Sequence, residues 1–300
     1  MRWRRGGISS NVEDRRSRPS ARRAGPGLRL PLPAGGRGRL GLGGVALVLL
    51  ILWLGGGDLG SLLEVPGIPG DAELGLPGGA GEVGAQGGLR STPEEEELAE
   101  FVSFVLDDLQ ATWARAEPGY RDAVLVLFRD AVESACGLGQ AAMGPFYCPL
   151  DQRVYVDLGF YSDLRRRFGA PGDFAQAYVL AHEIGHHLQN LRGDAERVRR
   201  AQASRPERAN ELSVRMELQA DCLAGVWAHS TGRRGLLEPG DIEEGLAAAA
   251  AVGDDRIQET SGGGVHPESF THGTSAQRRS WFERGVEAGD AGACDTFEGA

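Results

Sequence analysis

The residues best suited to chemistry form the pattern H-E-x-x-H at His182, Glu183 and His186. Histidines four residues apart on a helix lie one turn apart on the same face, so two imidazoles can bind one tetrahedral metal ion. Glu183 lies about 100° round the helix from His182, where its carboxylate can reach a water on the metal. The pattern predicts a metal site with a neighbouring acid/base group. The alternative is a helix with two hydrogen-bonded histidines.

One helix over 172–193 would position these side chains. Asp173 is predicted as its N-cap, with Gln176 completing a capping box, and Gly193 as the left-handed residue that ends it. Apolar residues recur at helical spacing between these ends, which predicts a buried face: Phe174, Tyr178, Ala181, Leu188 and Leu191. This amphipathic context strengthens the metal-site interpretation of a short motif.

A catalytic zinc site needs a third protein ligand and keeps one position for water. The longer motif with a third histidine is absent, because Gln189 and Arg192 stand where it requires glycine and histidine. The other common ligand is a glutamate from a later helix, and a second long helix is predicted over 208–230. Glu217 lies in that helix, so it is the predicted third ligand.

Asp221 follows Glu217 by one helical turn, so both carboxylates point the same way. Two unpaired carboxylates would be costly to bury in this otherwise apolar stretch. We predict that Asp221 accepts a hydrogen bond from the far nitrogen of His182 and so orients that ligand. The alternative is a solvated acidic face that also includes Glu211.

If the metal and Glu183 activate water to attack an amide carbonyl, the developing oxyanion also needs a donor. His272, in a polar segment near the start of the last predicted helix, is the predicted donor. A surface-loop histidine without that role is the alternative. Tyr161 and Tyr178 are weaker candidates, and Tyr178 is expected to pack in the core.

The charge distribution bears on partners and location. The formal net charge is −10, which argues against general nucleic-acid binding. Residues 1–39 carry eleven arginines against two acidic residues, and the next eighteen, 40–57, carry no charge. A single transmembrane anchor is predicted there, with a cleaved signal peptide as the alternative. The arginines before this segment would keep the N-terminus cytoplasmic and the remaining chain outside.

Four cysteines fit that location, because an even number in an extracytoplasmic domain indicates two disulfides. Three connectivities are possible. We prefer Cys136–Cys148 and Cys222–Cys294, with buried free thiols as the alternative.

The domain organisation follows from these segments. We predict a disordered cytoplasmic tail over 1–39, an anchor over 40–57, a Gly/Pro-rich linker over 58–91 and a folded domain over 92–300. Thr92 would cap the first helix. Short apolar runs over 123–128, 146–148 and 153–158 predict strands among several helices. The fold class is α+β, mainly helical with a small antiparallel sheet.

The chain resembles the bacterial membrane-anchored proteins known as putative neutral zinc metallopeptidases. The resemblance covers nearly the whole chain and implies a zincin-like fold of the gluzincin class. It also implies Zn²⁺ bound by His182, His186 and Glu217, with Glu183 as the catalytic acid/base. The motifs that carry it are RW…SSNVEDRR from Arg2, CGLGQAAMGPFYCP from Cys136, GDFAQAYVLAHEIGHHLQN from Gly172, ELQADCLAGVWAH from Glu217 and FTHGTSAQRRSWFERG from Phe270.

The predicted function is therefore that of a membrane-anchored zinc peptidase acting on proteins or peptides outside the cytoplasmic membrane. One alternative is a catalytically inactive, zinc-stabilised domain that binds envelope proteins or peptides. Another is hydrolysis of a different amide, such as a cell-wall crosslink. Class resemblance further suggests that a substrate adds as a strand to an exposed sheet edge, supplied by residues 153–158.

Overall fold

The computed structural model describes residues 1–17, 91–166, 169–170, 172–260 and 264–298. The predicted anchor and almost all of the predicted linker lie outside these residues. Across the described ranges, no helix has the length and apolar character needed to cross a bilayer.

Six strands form two small sheets. In the larger sheet, in the order β1-β2-β6-β5, β1, β2 and β6 run parallel and β5 pairs antiparallel to β6. The smaller sheet is the antiparallel hairpin β3-β4, which was not predicted. The bounds are β1 Val12–Asp14, β2 Val124–Phe128, β3 Ala131–Ser134, β4 Gly137–Gln140, β5 Phe146–Cys148 and β6 Arg153–Asp157.

The expected β5-β6 hairpin is present, but the expectation of an antiparallel sheet is wrong, because two of the three strand pairs are parallel. The expected exposed edge over 153–158 is also wrong. Strand β6 lies between β2 and β5, so β5 occupies that end of the sheet.

Residues 1–17 belong to the folded domain and are not the predicted disordered tail. Val12 lies opposite Leu125 in the pairing of β1 with β2, and Trp3 packs against Phe101 with ring centroids 5.4 Å apart. Arg16 is buried, and its guanidinium lies 2.7 Å from the carboxylate of Asp14. Basic composition indicated disorder, but here acidic side chains neutralise the arginines. Paired strands lie on the same side of any membrane, so residues 1–17 share one compartment with β2.

The helices make up most of the domain, and the helices predicted over 172–193 and 208–230 are both present. A further short helix, α7, was not predicted. The bounds are α1 Pro93–Ala116, α2 Gly159–Arg166, α3 Asp173–Arg192, α4 Asp194–Ser204, α5 Ala209–Arg233, α6 Asp241–Ala251, α7 Asp254–Thr260 and α8 Ser275–Ala288. Helix α3 packs against α1, α5 and α6, and the core between them contains the fully buried Trp113, Phe174, Trp227 and Phe282.

The helix ends differ from the predictions at two N-termini. Helix α3 begins after Gly172 without a side-chain cap, because Asp173 points its carboxylate at the N-terminal ammonium of Met1, 2.6 Å away. The free N–H of Phe174 donates instead to Glu244 from α6. Helix α8 is capped by Thr274 and not by Ser275, the N-cap that the sequence predicts. Thr92 caps α1 with a full capping box, and Gly193 ends α3 with a φ of 79°, as predicted.

Both disulfides have the predicted connectivity. Cys136–Cys148 joins the loop between β3 and β4 to the end of β5, and Cys222–Cys294 joins α5 to the segment after α8. Cys222 and Cys294 are both buried.

Candidate metal centre

The site forms where α3 and α5 cross. Gly185 lies between the two histidine turns and faces Ala220. A Cβ atom at Gly185 would lie only 3.0 Å from the Cα and carbonyl oxygen of Ala220. Glycine therefore permits a backbone approach that a larger residue would prevent, and this approach brings the carboxylate of Glu217 to the histidines of α3.

Three side chains converge at this crossing. His182 Nε2 lies 3.1 Å from His186 Nε2 and 3.1 Å from Glu217 Oε2. His186 Nε2 lies 3.4 Å from Glu217 Oε1. The structure thus brings together the three predicted ligands from two helices.

These three groups fit a zinc ion. Zinc binds nitrogen and oxygen at about 2.0–2.2 Å, so ligand atoms on a tetrahedral ion lie roughly 3.3 Å apart, close to the separations found here. Both Nδ1 atoms have other acceptors, Asp221 for His182 and Gln189 for His186. Each Nε2 is then left with a lone pair. The two lone pairs and the Glu217 carboxylate face the same point, and together they form a ligand set for a cation.

Asp221 lies where the sequence analysis expected it, with Oδ1 2.8 Å from Nδ1 of His182. The same carboxylate oxygen accepts a 2.5 Å hydrogen bond from the hydroxyl of Tyr178. Arg278 from α8 donates to both carboxylate oxygens, from Nε at 2.8 Å and from Nη2 at 2.9 Å. A fully buried carboxylate next to the metal site is therefore paired with a buried guanidinium.

The electrostatics of the site favour positive charge between its ligands. Burial alone would lower the pKa of His182, but the Asp221 carboxylate and hydrogen bonds to Asp221 and Glu217 raise it to about 10. Burial would raise the pKa of Glu217, yet the adjacent His186 and His182 hold it well below its usual range. A metal ion satisfies the same preference, and it must displace protons to bind.

The sequence did not predict a role at the site for Arg278 or Gln189. Arg278 pairs with Asp221, and Gln189 lies against His186. Arg278 lies in the last helix, 57 residues after Asp221, and nothing in its local pattern distinguishes it from the exposed Arg279. Gln189 was used only to exclude a third-histidine motif. Its spacing of three residues from His186 places it on the same helical face, and that signal was available.

A cleft of about 720 Å³ opens onto the three ligands. Glu183 lines it beside His182 and is almost fully buried. Phe146 and Tyr147 of the edge strand β5 also line it. His272 lies in its wall, with Nδ1 3.0 Å from Oδ1 of Asp254 at the start of α7.

The remaining aromatic and histidine candidates have other positions. Tyr178 is buried and bound to Asp221, as its predicted core position implied. Tyr161 is buried, and within the described part of the chain its hydroxyl has no hydrogen-bond partner. His187 faces away from the ligands, bonded to the hydroxyl of Tyr147 and the carbonyl of Arg121.

The fold and site define a class. A mainly helical α+β domain with an H-E-x-x-H helix and a glutamate from a later helix has the ligand set of zinc peptidases that use two histidines and one glutamate. The chain belongs to the family described as "Putative neutral zinc metallopeptidase", whose sequence model matches residues 1–297.

Two bacterial relatives are similar along most of the chain. The uncharacterized protein YpfJ of Escherichia coli K12 is 47% identical over 306 residues, covering 99% of each chain. The uncharacterized protein Rv2575 of Mycobacterium tuberculosis H37Rv is 45% identical over 205 residues, covering 65% of this chain and 69% of its own. No solved structure matches the chain.

Replacing Arg278 by methionine should destabilise the metal-free protein. Asp221 would then be a buried carboxylate without its guanidinium partner, and removing one partner of a buried ion pair costs about 3–5 kcal/mol. Arg279→Met, at the next and exposed position, should change the free energy of unfolding by less than about 0.5 kcal/mol. Urea unfolding after chelation measures both. Equal stabilities of the two variants would mean that the Arg278–Asp221 pair has no such role.

Proposed function

We propose that this protein is a zinc-dependent peptidase that hydrolyses peptide bonds outside the cytoplasmic membrane. The observation that carries the proposal is the position of Glu183, which lines an open cleft directly beside the three ligands. A structural zinc site has a closed ligand shell and needs no carboxylate base next to it. Three ligands and an accessible cleft are what catalysis requires.

The chain supplies the groups for amide hydrolysis. When bound by His182, His186 and Glu217, zinc would supply a Lewis acid that polarises a carbonyl and lowers the pKa of water toward ~7. Glu183 would accept the proton of the attacking water and deliver it to the leaving amine. Burial of Glu183 in the cleft wall limits competing contacts with bulk water.

His272 is the proposed donor to the developing oxyanion. Its Nδ1 is hydrogen-bonded to the Asp254 carboxylate, which accepts only, so Nδ1 carries a proton and the ring is oriented. Nε2 would donate to the oxyanion in the doubly protonated form of the ring, because a neutral imidazole carries only one N–H. The second carboxylate oxygen of Asp254 accepts backbone N–H groups from Thr271, His272 and Gly273, which holds the loop in place. The role of Asp254 could not be anticipated from the sequence, because α7 was not predicted.

Strand β5 is the proposed docking edge for an extended substrate. It is the terminal strand of the larger sheet, and its residues Phe146 and Tyr147 line the cleft. A peptide added to this edge would gain backbone hydrogen bonds regardless of its sequence. The hydroxyl of Tyr147 is bonded to His187 and Asn190 of α3, which ties the edge strand to the metal-binding helix.

Glu183→Gln tests the peptidase assignment. The full-length protein, loaded with zinc, is incubated with a diverse peptide library, and new termini are identified by mass spectrometry. Cleavage should fall by roughly 10²–10⁴-fold in the variant, because an amide cannot carry the proton. Bound zinc should stay stoichiometric, because Glu183 is not a ligand. Zinc binding without any cleavage by the wild type would overturn the proposal in favour of an inactive, zinc-stabilised binding domain.

His272→Ala should lower kcat with little change in KM or zinc content. Removal of an oxyanion donor costs about 10²–10³-fold in kcat. His266→Ala is the matched control. Like His272, His266 is an exposed histidine in the segment between α7 and α8, but it does not line the cleft. Equal kcat values for both variants would rule out the donor role.

The extracytoplasmic location is supported by the two disulfides, which persist in oxidising compartments. Membrane attachment through residues 40–57 stays a prediction of the sequence, now with residues 1–17 on the same side of the membrane as the folded domain because β1 pairs with β2. If the location is correct, cells treated with an alkylating reagent before lysis should yield protein with all four cysteines unmodified and disulfide-bonded. Alkylated Cys222 and Cys294 would contradict it.

A further inference from the structure

A buried chain of hydrogen bonds, which we call the relay, runs from one candidate metal ligand to the last described segment of the protein. It joins His186, Gln189, Gln219 and the carbonyl of Cys294. His186 Nδ1 lies 2.8 Å from Gln189 Oε1. The Gln189 amide donates to the backbone carbonyl of Met216 at 2.7 Å and to Gln219 Oε1 at 3.0 Å. The Gln219 amide donates to the backbone carbonyl of Cys294 at 3.2 Å. Both glutamine side chains are buried.

The direction of this chain is fixed by its far end. The carbonyl groups of Cys294 and Met216 can only accept, so each must face an NH₂ group. Gln219 therefore presents its oxygen to Gln189, and Gln189 presents its oxygen to His186. His186 must then carry its proton on Nδ1, which leaves the Nε2 lone pair for a metal.

The far end is itself anchored to α5. Cys294 forms the buried disulfide with Cys222, one residue after Asp221. Thr296 donates to the carbonyl of Arg215 at 2.7 Å, and the Arg215 guanidinium donates to the carbonyl of Thr296 at 2.7 Å. The carbonyl of Cys294 is thus held in place by the disulfide of its own residue and by two hydrogen bonds at Thr296.

The two histidine ligands are held in different ways. His182 is bonded to a carboxylate that is paired with Arg278. His186 is bonded to a neutral amide, whose orientation comes from a segment about 100 residues later in the chain. A neutral partner adds no charge to the site, so its contribution is geometric.

We propose that Gln189 and Gln219 are positioning residues that couple the Cys222–Cys294 disulfide to zinc binding by His186. The proposal rests on the proposed zinc site. It states that opening this disulfide releases the Cys294 carbonyl, frees both amides to rotate, and lowers zinc affinity without touching any ligand.

Substitutions at Gln189 separate positioning from a structural role. Gln189→Met and Gln189→Glu both lose the donors to Met216 and Gln219, so both should lower the free energy of unfolding. Only Gln189→Glu keeps an acceptor for His186. Zinc affinity, measured by competition with a chromogenic chelator, should fall about 10–100-fold in Gln189→Met and stay near the wild-type value in Gln189→Glu.

Gln202→Met is the control for a lost amide. Gln202 also makes two hydrogen bonds between helices, to the carbonyl of Ala209 at 3.0 Å and to Ser213 at 2.9 Å, and does not line the cleft. Its replacement should lower stability and leave zinc affinity unchanged. A fall in affinity as large as that of Gln189→Met would overturn the relay, because lost stability alone would explain both.

The disulfide arm uses paired cysteine variants. The double variant Cys222→Ala, Cys294→Ala should weaken zinc binding in the wild-type background and add little in a Gln219→Met background, since both changes break the same chain. Removing Cys136 and Cys148 instead should leave zinc affinity unchanged. Fully additive losses would show that the disulfide and the glutamines act separately.

The relay and the zinc peptidase proposal fail in different ways. A wild-type protein that binds no zinc would overturn the proposed function. A wild type that binds zinc as tightly as Gln189→Met and Gln219→Met would overturn the relay alone.

Discussion

The structure depends on one constraint: three side chains with lone pairs, two imidazoles and a carboxylate, are held 3.1–3.4 Å apart at a crossing of two helices. Without a cation between them, two imidazole nitrogens and a carboxylate would repel one another and take up protons. The crossing itself is possible because Gly185 offers no Cβ to Ala220. The fold therefore supplies the close approach, and a positive charge at the centre completes it.

Much of the surrounding sequence offsets the cost of this arrangement. Asp221 is completely buried, and a buried carboxylate is tolerated only with donors and a counter-charge. Tyr178, His182 and Arg278 provide them from α3 and α8. Helix α8 reaches α5 through Gly225 and Gly285, where any Cβ would collide with backbone of the opposite helix. Close packing of α5 against α8 is thus as much a requirement of the site as the motif on α3.

What the sequence could predict was set by helical periodicity. His182, Glu183, His186, Glu217 and Asp221 lie one turn or less from a partner on the same helix, so helical spacing and the ligand preferences of zinc together indicated them. Arg278, Asp254 and the link from Gln219 to Cys294 depend on contacts between distant segments, which local patterns do not contain. The N-cap of α3 shows the same limit, because Asp173 has local propensity for capping but is engaged by Met1. Strand β1 was missed because arginine-rich composition indicates disorder unless its ion-pair partners, which lie elsewhere in the chain, are known.

Segments from both ends of the described chain converge on α3 and α5, the helices that carry the candidate metal ligands. Residues 1–17 contribute β1 to the sheet whose opposite edge borders the cleft, and Met1 lies against the first residue of α3. The segment after α8 contacts α5 and reaches His186 through two amides. The proposed peptidase activity requires the ligands and base to keep one geometry while the cleft accepts varied substrates. Bracing α3 and α5 from outside the cleft meets the first demand without filling the space needed for the second.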